Sequence, residues 1–166
     1  MTMTQSKVRG VVFGSLSGVV LALLAASLSA SWQAIAQGRN ATADQPARLA
    51  VMVPRTAMAS GATLTISVRA YRKPPAGQIG GIVRLKRPGA GQTVEVGRFS
   101  IVAASSFAAA TAEDEKRYRF DIGGALRELQ LSGDQAEIEV ALYDRSGGQT
   151  PLGTELTVGG AQISAR

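Results

Sequence analysis

Residues 117–130, RYRFDIGGALRELQ, change their repeat halfway through. Tyr118, Phe120 and Ile122 alternate with Arg117, Arg119 and Asp121, the period of two that makes a strand with one wet face. After Gly123-Gly124, Leu126 and Leu129 fall three apart and share one face of a helix. The stretch predicts a strand that turns into a short helix over 124–131. Two glycines start a helix weakly, which leaves Asp121 or a nearby backbone group to cap it.

The period of two recurs on both sides. In ATLTISVRAYR (62–72), Leu64, Ile66, Val68 and Ala70 alternate with Thr63, Thr65, Ser67 and Arg69. IVRLKRP (82–88) sets Val83 and Leu85 against Arg84 and Lys86. TVEVGRFSIVA (93–103) is a longer strand with Gly97 at its middle, the mark of a bulge or bend. AEIEVALYD (136–144) buries Ile138, Val140 and Leu142 and turns Glu137 and Glu139 outward. RLAVMV (48–53) opens the series, and TELTVGGAQIS (154–164) closes it with one or two short strands. PPAGQIGG (74–81), GAGQ (89–92) and RSGGQTPLG (145–153) read as turns and loops. About seven strands at this spacing predict an all-β fold, a sandwich or a barrel, and the expected form is an antiparallel sandwich of jelly-roll type with one short helix. Its expected core holds Val68, Val96, Phe99, Tyr118, Phe120, Leu126, Leu129, Val140 and Leu142.

The amino-terminal end has another character. Lys7 and Arg9 precede the uncharged run VVFGSLSGVVLALLAAS (11–27), and Ala34 and Ala36 stand in an A-x-A arrangement. That order is a secretory signal peptide, with cleavage expected after Ala36. The other reading is an uncleaved anchor, since the stretch from Gly10 to Gly38 is long enough to span a bilayer. Residues 37–48, QGRNATADQPAR, read as a flexible linker, and residues 49–166 as the sandwich domain. Export to the periplasm or exterior is expected, with membrane contact only through the first segment.

Composition narrows the chemistry. The 166 residues contain no histidine and no cysteine. Catalysis by a Ser-His-Asp triad, a thiolate, or a histidine-bound zinc or copper has no residues to use. No cofactor is implied. GQIGG and GAGQ lack the Lys-Ser/Thr that would follow a phosphate-binding loop. A hydrolase of paired carboxylates would need to draw on Glu113, Asp114 and Glu115, but Lys116 and Arg117 follow at once and the run reads as a self-neutralised loop. Taking 36 residues from 166 leaves 130, and the net charge falls from +6 to +4 as Lys7 and Arg9 go. Such a balance, on an exported protein, gives no reason to expect nucleic acid.

Two features point to partners instead. Arg69, Arg72 and Lys73 end one strand, and Arg84, Lys86 and Arg87 lie in the next, so a hairpin would gather these charges on one surface. The plainer reading is edge protection. In AASSFAAATAEDEKR (103–117), Phe107 is a lone large apolar residue among alanines and serines. It either folds back on the core or is offered to a partner.

From Thr63 to the end, the chain resembles the C-terminal domain of plant polyphenol oxidases and some bacterial tyrosinases. The resemblance rests on VEVGRFSIV, YRFDIGGALRELQL, AEIEVALYDRSGG and LTVGGAQI, in that order. It implies a β-sandwich that ligates no copper and covers the mouth of a type-3 copper site on another domain. It thereby implies a non-enzymatic accessory domain, which here would shield or help mature a separate phenol oxidase. Phe107, Arg69, Arg84 and Lys86 are the expected partner contacts. The alternative is an envelope binding module whose basic sheet face takes anionic lipid or polysaccharide.

Overall fold

A computed structural model describes residues 39–166. The signal or anchor segment and the Ala36 cleavage site lie outside the described residues. In chain order come β1 (Asn40–Thr42), β2 (Ala47–Met52), α1 (Ala57–Ser60), β3 (Ala62–Arg72), β4 (Ile79–Lys86) and β5 (Thr93–Ser100). They are followed by β6 (Phe107–Ala108), β7 (Lys116–Asp121), α2 (Gly123–Glu128), β8 (Gln135–Asp144) and β9 (Glu155–Ala165).

The strands form two antiparallel sheets. One runs β1-β9-β3, with β6 and β7 sharing the far side of β3; the other runs β2-β8-β4-β5. Leu64, Ile66, Val68, Leu156, Val158 and Ile163 point inward from the first. Leu49, Val51, Val83, Leu85, Ile138 and Val140 meet them from the second. The all-β sandwich read from the alternation is the observed fold.

Several local readings change. β3 and β4 do not form a hairpin. Both hydrogen-bonding sides of β3 are taken, by β9 and by β6 and β7, and β4 lies in the other sheet between β8 and β5. The segment 73–78 therefore crosses from sheet to sheet. Ile79-Gly80-Gly81, read as the end of a turn, are buried strand residues. The reason is close packing: a Cβ on Gly80 would meet the Tyr143 ring, and one on Gly81 the Phe99 ring.

In β3, irregular pairing at Ser67, Val68 and Ala70 shifts the phase. Tyr71, not Ala70, is the buried residue at that end. Gly97 does coincide with an irregularity, opposite Val83 and Arg84. β9 is one continuous strand of 11 residues with Gly159-Gly160 inside it. The stretch read as linker is also part of the sheet over Asn40–Thr42, paired with Thr157, Leu156 and Glu155. Ala41 and Ala47 are fully buried, so chain entropy is overcome there by packing and by ladder hydrogen bonds.

α2 is shorter than predicted. The Gly123 amide donates to Asp121 Oδ1 at 3.1 Å, and Leu126 and Leu129 are buried. Of the expected core, Val96, Tyr118 and Phe120 pack against it but stay half-buried, because they line the open side where β5 faces β7.

Candidate functional site

The loops at one end of the sandwich are joined by a few bonds. β6 has only two residues, but both are in register with β3: Phe107 with Tyr71 and Ala108 with Ala70. The Ala109 amide donates to the Arg69 carbonyl at 2.7 Å. Before β6, Ser106 Oγ accepts the Lys73 amide at 2.9 Å, and Lys73 Nζ donates to the Ala104 carbonyl at 2.8 Å. The loop that carries Phe107 is thus held to the end of β3.

Phe107 is half-buried. Its ring lies 6.2 Å from that of Tyr71, and Lys116 Nζ stands 4.4 Å from its centroid. An ammonium over an aromatic face is attracted by the ring quadrupole. Lys116 was read as one charge of a solvated run. It begins β7 in phase with Tyr118 and Phe120, and that alternation was the signal for its inward aim. Burial raises the pKa of both Tyr71 and Tyr118 and keeps their phenols neutral.

Beside Phe107 lies an open concavity of about 460 Å³, floored by Ala70, Ala108 and Thr157 and walled by Arg72, Glu155 and Ser106. Arg72 stands opposite Glu155 in register, and Glu155 Oε1 accepts from the Asn40 side-chain Nδ2 at 2.8 Å. Sequence reasoning missed this concavity, because its walls come from strands far apart in the chain. It presents one aromatic edge, small side chains, and the polar or charged groups of Ser106, Thr157, Arg72 and Glu155.

The expected basic face is not assembled. Arg69 is on the outer side of the β3 sheet, whereas Arg84 and Lys86 are on the other sheet. Arg84 donates to Glu139 Oε1 at 3.0 Å, and Lys86 stands opposite Glu137. Arg69 Nε lies 3.7 Å from Glu115. Glu115 is itself a correction. It is not a solvated loop charge, since its side chain is only 9% exposed and its carboxylate covers Gly159. Among the described residues, no group of three or more Cys, Asp or Glu could hold a metal ion. No helix among them is long and apolar enough to cross a membrane.

No family model and no curated protein matches the chain. Solved structures do. The fold is similar to part of a polyphenol oxidase. Latent aurone synthase (polyphenol oxidase) from natural source matches with a TM-score of 0.45 at 14% identity, over 74% of this chain and 25% of that one. The recombinantly expressed latent aurone synthase matches with a TM-score of 0.44 at 15% identity, over 73% and 24%. This chain spans about a quarter of the length of the structures it matches.

Proposed function

We infer that the protein is an exported, non-catalytic accessory domain that binds a separate type-3 copper phenol oxidase and covers the mouth of its site. The order of the four motifs supports this reading, and so does their place in the fold. VEVGRFSIV supplies β5, YRFDIGGALRELQL supplies β7 and α2, AEIEVALYDRSGG supplies β8, and LTVGGAQI supplies β9. The contact is the end that carries Phe107. The ring is half-buried and framed by small residues, so a narrow mouth is able to approach it closely. A stable complex in trans needs about 1,600 Å² of interface in total.

The observation that carries the proposal is the aromatic edge of Phe107 beside an open concavity. The test adds the full chain, wild type or Phe107→Ala, to a candidate phenol oxidase and follows phenol oxidation. Inhibition by wild type that is weakened in the variant is the expected result. Equal inhibition by both removes Phe107 from the contact, and inhibition by neither overturns the shielding role for that enzyme.

A further inference from the structure

On the outer surface of the β2-β8-β4-β5 sheet, register sets unlike charges on neighbouring strands. Arg48, Glu139, Arg84 and Glu95 stand opposite one another in a single row across the four strands, so the sign alternates from edge to edge. Arg48 Nε lies 3.7 Å from Glu139, and Arg84 donates to Glu139 at 3.0 Å. Two residues along, Glu137 stands opposite Lys86. In the other direction the surface turns apolar. Ala141 stands opposite Ile82, both half-buried, and then Tyr143 opposite Gly80. The Tyr143 ring covers Gly80. Arg98, the remaining charge, lies 5.6 Å from that ring's centroid and 2.8 Å from Glu95.

This pattern is its own complement. A twofold axis lying in the face, parallel to the strands and between β8 and β4, sets β4 of a second copy over β8, and its β5 over β2. Every row then meets itself reversed. Arg48 faces Glu95, Glu139 faces Arg84, and Glu137 faces Lys86. Ile82 faces Ala141, and the Tyr143 ring faces the strand at Gly80, where no side chain stands. An axis across the strands, through the charged row, instead sets Glu139 over Glu139 and Arg84 over Arg84.

We propose that the protein forms a face-to-face dimer with a second copy of itself through this sheet, about the axis along the strands. Charge complementarity selects the occupant. A polyion of one sign is repelled at every second strand of the row. A bilayer surface takes up apolar side chains, and the middle of this face is ionic. A second copy carries the reversed row by symmetry, and sheets stack with their strands within about 30° of each other. The Glu139 and Glu137 side chains are only 16% and 28% exposed, so much of their dehydration has already taken place in the single chain. Four strands about 4.8 Å apart, over the residues from Glu137 to Tyr143, make a face of about 19 by 23 Å. Two such faces bury about 900 Å² together, the range of weak and reversible contacts. Phe107 and its concavity belong to the other sheet, so the inference is independent of the shielding role.

Sedimentation velocity of the full chain over a rising concentration series tests it. The wild type is expected to dimerise reversibly, and raised ionic strength is expected to weaken the dimer. Arg84→Glu makes the centre of the row acidic, Glu139→Arg makes it basic, and the twofold axis repeats each change. Each variant alone is expected to dimerise at least about tenfold more weakly, because like charges are then juxtaposed. Mixed in equal amounts, with one of them fluorescently labelled, the two are expected to associate, an acidic face on a basic one. Loss of the pair within one sheet has no means of restoring association. Arg48→Glu and Glu95→Lys repeat the cycle at more exposed positions, with effects of a factor of a few. Melting temperatures establish which variants fold, and the exposed pair decides the outcome if the central pair does not. Three results overturn the proposal: a wild type that stays monomeric up to the millimolar range, a dimer that no variant weakens, or folded single variants that are weakened and do not associate when mixed.

Discussion

The ring of Phe120 occupies the space that a side chain on Gly97 would need: a Cβ there would lie 2.7 Å from Phe120 Cδ1. This contact lies on the open side of the sandwich, where β5 faces β7, and the Phe99 ring lies tilted beside it with its centroid 4.2 Å from that of Tyr118. A ring attached close to the backbone has little room to move aside. Gly97→Ala is therefore expected to cost about 1–3 kcal/mol, the usual range for overpacking. Urea denaturation of the variant checks it.

Gly159→Ala offers a contrast. The atoms in its way are the Glu115 carboxylate, the far end of a flexible side chain. The carboxylate is able to swing out toward Arg69 and water, so the expected loss is under about 1 kcal/mol. A loss as large as that of Gly97→Ala would show that the Glu115 position is itself structural.

Core depth is tested by a series. Leu64 is fully buried, and Leu64→Ala is expected to cost about 2–5 kcal/mol. Phe120 is half-buried, so Phe120→Ala falls below the roughly 3–5 kcal/mol of a fully buried phenylalanine, at about 2 kcal/mol. Val102 is 82% exposed, and Val102→Ser is expected to change stability by less than about 0.5 kcal/mol. Midpoints of thermal or urea unfolding rank the three.

Phe107→Ala removes a half-buried ring together with its contacts to Tyr71 and Lys116. The expected cost is about 1–2 kcal/mol, part burial and part cation–π attraction. Phe107→Leu keeps most of the apolar volume and loses the ring face. A smaller loss in the leucine variant separates burial from the ammonium contact.

Stability is expected to fall at both ends of the pH scale through named groups. The Ser146 amide holds the Asp144 carboxyl below the usual carboxylate range. A depressed native pKa contributes stability above the unfolded value and loses it as pH falls through the native one. Asp144→Asn is expected to flatten the acid limb of a melting-temperature profile. Tyr118 runs the other way, because burial raises its pKa. Its contribution is present below the usual tyrosine range and is lost as pH rises through the native value. Tyr118→Phe is expected to flatten the alkaline limb.

Alternation in 62–72, 117–122 and 136–144 determined by itself that these segments are strands with one buried face, up to the irregular pairing in β3 that moves burial from Ala70 to Tyr71. One residue per step points to each face of a pleated strand, so a local pattern suffices. The three-residue spacing of Leu126 and Leu129 did the same for α2. Tertiary structure alone decided which strands are neighbours. Whether β3 pairs with β4 depends on what else occupies its edges, and β9, almost a hundred residues away, holds one of them. That choice sent Arg69 to one sheet and Arg84 and Lys86 to the other. The same holds for Asn40–Thr42, whose polar letters read as linker until β9 supplies a ladder, and for Glu115, whose burial comes from a glycine on another strand. Local periodicity fixes what a segment is. Pairing over long sequence separation fixes what it meets, and the surfaces proposed here for binding are made by that second kind of contact.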